Sequence, residues 1–154
     1  MKNVVISVAT ILGFSFAAPL AASADSRKVV VESAWARASV GTGRPGAAYM
    51  TILNRGDEPI VLTGLQTSIA MMSTIHESTT NESGVSSMSP AGDIVIGAGE
   101  AAFLKPGGLH AMLMKLQVPM VEGDRFSLTL TFDDGGVVDV EVPVLSLAAR
   151  GPEG

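Results

Sequence analysis

The chain contains no cysteine, only two histidines, and few aromatic residues: five Phe, one Trp and one Tyr among 154 residues. Without thiols there is no disulfide staple and no thiol redox chemistry, and a blue-copper centre lacks its thiolate. Basic residues are scarce as well. Ten Lys and Arg against fifteen Asp and Glu leave a net charge of −5, scattered rather than blocked. There is no basic patch, which excludes a nucleic-acid partner. After the N-terminal segment, no long window shows helical periodicity, and no internal repeat or low-complexity stretch is visible.

The one long apolar run lies at the N-terminus. MKNVVISVATILGFSFAAPLAASADSRK has Lys2 as a short positive n-region and an apolar stretch from Val4 to Leu20. Ala22-Ser23-Ala24 then forms an A-x-A cleavage site. This is the pattern of a secretory signal peptide. Cleavage is expected after Ala24, giving an exported, periplasmic protein that starts at Asp25. No basic stop-transfer run follows, which argues against a membrane-integral protein, and no cysteine follows to carry a lipid anchor. Residues 25–146 then form one domain, long enough to bury a core without disulfides. Residues 147–154 read as a short loose tail.

The remaining chain reads as short strands between turn signals. In RFSLTLTF, 125–132, Phe126, Leu128, Leu130 and Phe132 alternate with Ser127, Thr129 and Thr131. Asp133-Asp134-Gly135-Gly136 is a turn, and Val138 to Val144 alternate again, so a hairpin is expected. Pro143 suggests that its strand end is unpaired or on an edge. Further strands fit 28–37, 46–54, 59–65, 72–78, 85–89, 93–96 and 100–104. Lys105-Pro106-Gly107-Gly108 suits a type II turn. The pattern predicts an all-β fold, a sandwich.

GGLHAMLMKL, 107–116, holds one of the two histidines, with two methionines spaced by two. On a strand, His110, Met112 and Met114 share one face. Taken alone, the segment reads first as packing, because methionine fills irregular gaps in cores. The second histidine, His76 in MMSTIHES, and Met88 in VSSMSP flank a polar loop or hairpin at 77–84. Two imidazoles with several thioethers form a soft, neutral donor set, suited to Cu(I) and poor for zinc, magnesium or calcium.

Here the residues resemble the PCuAC family of periplasmic copper chaperones. His76-Glu77 is followed by ten residues and Met88, then by twenty-one residues and His110-Ala111-Met112. That spacing is the family's His-Met-x10-Met-x21-His-x-Met pattern, with Glu77 at its optional methionine. AWARAS at 34–39, AAYMTILN at 47–54, PGGLHAMLMKL at 106–116 and GDRFSLTLTF at 123–132 extend the likeness over nearly all of the chain after residue 24. The resemblance implies a cupredoxin-like, Greek-key β-sandwich. It also implies one Cu(I) held by His76, Met88, His110 and Met112, and delivery toward the CuA centre of cytochrome c oxidase. The partners are then the copper ion and the apo-oxidase CuA subunit, or another copper-assembly protein. The chaperone itself is expected to be a monomer. Some members carry a second site in a His/Met-rich tail. LAARGPEG has neither residue, so one site is expected.

Met114 reads as core or as a supporting neighbour of the site. Met72 shares the parity of His76, but packing is favoured for both Met71 and Met72. Met50, Met120 and Trp35 read as core. Other functions fit less well. A copper sink would use the same ligands without an acceptor, but no long Met-rich tract is present. An enzyme is not expected, because two histidines cannot build a multicopper site and Asp25 cannot serve as a histidine brace. A metal-free adhesion sandwich remains open to any such fold.

Overall fold

The computed structural model describes residues 24–152, so the segment expected as a signal peptide lies outside the described residues except for Ala24. A 3-10 turn, Ser26–Lys28, leads into ten strands. These are β1 (Val29–Arg37), β2 (Gly46–Asn54), β3 (Ile60–Gln66), β4 (Ala70–Thr80) and β5 (Ser86–Pro90), followed by β6 (Ile94–Ile96), β7 (Ala101–Leu104), β8 (Leu109–Leu116), β9 (Arg125–Phe132) and β10 (Val137–Leu145). No α-helix occurs among the described residues, and none there is long and apolar enough to cross a membrane.

The strands run in the order β5-β4-β8-β7-β2-β1-β10-β9-β3-β6, with β8 also pairing β2. One short parallel seam joins the two halves, Ala36 opposite Val144 and Arg37 opposite Leu145. The sheet folds over at this seam, and both halves face one apolar core. Ala48, Ile52, Ala111 and Leu113 come from one half; Ile60, Leu128, Leu130 and Val142 come from the other. Each is fully buried. Burying a leucine or isoleucine side chain of this kind stabilises the fold by about 1.5–3 kcal/mol before entropy is counted.

Turn chemistry closes the strands as the residue types require. Gly135 takes φ 77 in the β9–β10 turn, and Val137 pairs with Thr131 directly beyond it. Gly107 takes φ 81 after Pro106, and the Gly108 N–H donates to the Lys105 carbonyl at 3.1 Å, which completes the type II turn. Strand β10 is not an edge, so of the two readings of Pro143 the edge fails and the unpaired end holds on one side only. The strand lies between β1 and β9, and Pro143 pairs with Arg125. The Val144 N–H points toward β9, donating to the Asp124 carbonyl, so the Pro143 nitrogen faces the β1 side. Pairing with β1 begins only at Val144, so the missing N–H breaks no ladder bond.

Trp35 is buried, but outside the sandwich core. The β1–β2 register slips between Glu32 and Trp35, and Ser33 sits in the left-handed region at φ 53. This bulge reverses the alternation, so Ala36 faces the main core while Trp35 packs on the outer face with Tyr49. Ala149 completes that second cluster and is buried, so the segment read as a loose tail is anchored at this residue. The Arg37 Nε donates to the Ala149 carbonyl at 2.7 Å.

Candidate metal centre

Strand β8 lies between β4 and β2 at one end of the sheet, and β5 pairs the far side of β4. The register sets His76 opposite His110, Thr74 opposite Met112 and Met72 opposite Met114. Ser78 is opposite Met88, and Ala47 is opposite Met112 from the β2 side. Directly opposed residues share a face. Ala111 and Leu113 face the core, so His110, Met112 and Met114 occupy the outer face. His76 and Met88 share it. Glu77 alternates to the other side, so the acidic residue at the pattern's optional methionine does not share a face with the two histidines.

His110 is buried, and its Nδ1 lies 3.0 Å from the Gly108 carbonyl oxygen. A carbonyl only accepts, so Nδ1 carries the proton and Nε2 keeps its lone pair. The same carbonyl accepts from the Ser78 N–H at 3.1 Å, which ties the turn to β4. This is the arrangement that fixes the tautomer and orientation of a ligating imidazole. The half-buried His76 ring lies with its centroid 6.2 Å from that of His110. Metal–imidazole bonds are about 2 Å long, so two rings at this spacing can share one ion.

An aromatic wall stands on the other side of His110. The Tyr49 ring centroid is 6.5 Å from the histidine ring, and Trp35 stacks on Tyr49 at 4.6 Å. The Arg37 guanidinium lies 5.6 Å from the Tyr49 ring centroid and 5.9 Å from that of Trp35. Burial pushes the Tyr49 hydroxyl above its usual pKa, opposed by the Arg37 charge. The wall is therefore neutral at the ring nearest His110. Sequence reasoning missed Tyr49, because nothing local says that β2 lies beside β8.

Met88, His110 and Met112 line one open pocket, with Arg44, Pro45 and Ala47 on its other wall. His76 flanks this pocket through His110 rather than lining it. Met88 is 54% exposed, on a strand that is exposed throughout. A smaller, more enclosed cleft between β3 and β4, lined by Leu62, Ser73 and Asp93 among others, holds none of the four residues of the pattern. Met50 and Met120 are buried in the core, as their patterns suggest. Met71 and Met72 are not packing residues: they are 67% and 48% exposed. Met114 is half-buried on the outer face. Among the described residues, no three His, Cys, Asp or Glu side chains cluster as a metal site. The donors gathered on this face are imidazoles and thioethers, which favour a soft, low-charge ion.

Fold and site together define an all-β domain that presents a soft donor set on its outer face. The chain belongs to the LpqE-like lipoprotein family, which it matches over residues 29–144. The protein Lxx21020 of Leifsonia xyli subsp. xyli, which also carries a lipoprotein name, is 35% identical over 116 residues, spanning 75% of this chain and 69% of that one. Among solved structures, the Cu(I) form of DR1885 from Deinococcus radiodurans is 31% identical, with a TM-score of 0.58, covering 78% of this chain and 81% of that one. The copper-bound PCuAC domain of PmoF2 has a TM-score of 0.65 at 22% identity, covering 77% and 93% of the two chains, and this likeness concerns the fold.

Proposed function

We propose that this protein is an exported copper chaperone that binds one Cu(I) through His76, Met88, His110 and Met112 and hands it on. The observation that carries this reading is the cross-strand pairing of His76 with His110, on a face shared with Met112 and Met88. The likeness to the Cu(I) form of DR1885, at 31% identity, supports it. The reading includes the cupredoxin-like, Greek-key description, a periplasmic location and a monomeric state. Thioethers hold Cu(I) in an oxidising compartment without a thiol that could be lost to a disulfide. The two sides of the site have different tasks. His110 is buried and oriented by the Gly108 carbonyl, so it anchors the ion. Met88 is exposed on β5, so an acceptor can displace it first and take the ion by stepwise ligand exchange. The acceptor in this reading is the CuA subunit of cytochrome c oxidase or a copper-assembly protein that serves it. The chemistry is binding and transfer, not catalysis.

The test is a Cu(I) titration against a competing chelator, followed by transfer to apo-acceptors. One tight equivalent is expected, and His110→Ala and Met112→Ala should each weaken it by about a hundredfold or more, about 2.7 kcal/mol. Tight binding that survives both substitutions would remove the site from β8. A chelator-resistant Cu(I) form that no CuA acceptor can unload would favour sequestration over delivery.

A further inference from the structure

The outer face of β4 and β8 carries more thioether than the four-residue pattern uses. Met72 lies directly opposite Met114, one step along the ladder from Thr74 and Met112. Directly opposed Cβ atoms on antiparallel strands are about 4.5–5.5 Å apart, and diagonal neighbours about 7–8 Å. Met72 therefore opposes Met114 and is diagonal to Met112, while Met112 and Met114 are two apart on one strand. Methionine has three rotatable bonds beyond its Cα, so three thioethers at these separations can converge on one ion.

Two observations set this group apart from ordinary packing. Met72 is 48% exposed, so it fills no core. The cross-strand partners of Met112 are small or polar, Ala47 on one side and Thr74 on the other. Met112 is thus not walled in by bulky apolar partners on the neighbouring strands. Met112 belongs to both sets, which makes the two groups continuous along β8.

We infer that Met72, Met112 and Met114 form a second, weaker Cu(I) station, from which the ion moves into the His76/Met88/His110/Met112 site through the shared Met112. The inference rests on the proposed function. The donors order the two stations: three neutral thioethers suit Cu(I), and exchanging two of them for imidazoles strengthens the hold on the ion. Movement between them forms bonds to His76, His110 and Met88 as those to Met72 and Met114 break. Copper stays Cu(I), and no proton or electron is transferred. The station lies on the opposite side of the shared methionine from the exposed Met88, which gives the ion separate places to enter and to leave.

The test uses the full chain labelled with 13C at the methionine methyls and titrated with Ag(I), a redox-inert stand-in for Cu(I). The first equivalent is expected to shift the Met88 and Met112 methyls; the second, with the Met112 sulfur shared between the two ions, is expected to shift those of Met72 and Met114. Met72→Leu/Met114→Leu should abolish the second step. The first-step affinity should stay within about twofold, because leucine conserves volume on this face. Met72 and Met114 methyls that stay unmoved at two equivalents overturn the second station. A first equivalent that leaves Met88 and Met112 unmoved overturns the primary site instead, so the two failures are separate. A double variant that keeps a second step of unchanged affinity also overturns the inference.

Discussion

Hairpins β9–β10 and β4–β5 each join antiparallel strands through a short Gly-containing turn, DDGG at 133–136 and NESGV at 81–85, yet their surfaces differ. In β9, every second residue is buried, with Leu128 and Leu130 fully so. Strand β5 is exposed over its whole length, and β4 beyond Ile75 has no buried residue. The β4–β5 turn is held by local bonds: the Asn81 side chain accepts from the Ser83 and Val85 N–H groups. One hairpin therefore supplies stability, while the other projects Met88 and His76 where a partner can reach them. Stability and metal affinity should be separable by substitution.

The largest effect should come from the buried hairpin. Leu130→Ala is expected to cost about 2–5 kcal/mol of stability. Chemical denaturation reads this, and Cu(I) affinity of the folded fraction should not change. If affinity fell in parallel, the site would depend on the far half of the sheet, and the separation would fail.

The next effect is that of pH on the two histidines of the site. Each imidazole must be neutral to bind, so protons compete with the ion. Two histidine ligands give a limiting slope of about two in log affinity against pH on the acid side, about a hundredfold per unit. Chelator competition, corrected for the chelator's own protonation, measures this, with circular dichroism to exclude acid unfolding. A slope of about one would leave a single histidine in the site.

Met88→Leu should weaken Cu(I) by about tenfold, about 1.4 kcal/mol, and leave the melting temperature unchanged. A fall in melting temperature would show that β5 contributes to the core after all.

The smallest effect belongs to the N-terminal turn. The Ser26 N–H donates to Asp134 at 2.7 Å and the Gly136 N–H at 2.9 Å, and the Ser26 bond is the main reason the Asp134 carboxyl sits below its usual pKa. A depressed carboxylate stabilises the fold above its unfolded pKa, and the contribution disappears as pH falls through its folded value. Asp134→Asn should therefore lower the melting temperature slightly at neutral pH and not in strong acid. Cu(I) binding should be untouched.

Much of this architecture is legible in the residue order. Strict alternation at 125–132 and 138–144, with Asp and Gly between, specifies a hairpin because side-chain direction has period two. The same rule places His110, Met112 and Met114 on one face. Alternation along a strand does not reveal which strands are neighbours. The pairing of His76 with His110, the approach of Tyr49 and the opposition of Met72 to Met114 all come from strands distant in sequence. Pro143 left two readings open for the same reason: only the neighbouring strands show that its missing N–H falls on the side where pairing has not yet begun, and not on an edge.

Composition and spacing by themselves determined a cysteine-free, all-β domain with a soft donor set and no basic surface. They also marked Met50 and Met120 for the core. Only the tertiary structure decided that Trp35 leaves that core, because the bulge at Ser33 inverts its face. It also anchored Ala149 on Trp35 and Tyr49 and left Met71 and Met72 in the open. The physical reason is common to these cases. Local preferences set a strand's period, but cross-strand register and bulges set which face meets which neighbour, and those depend on the burial of the whole sheet.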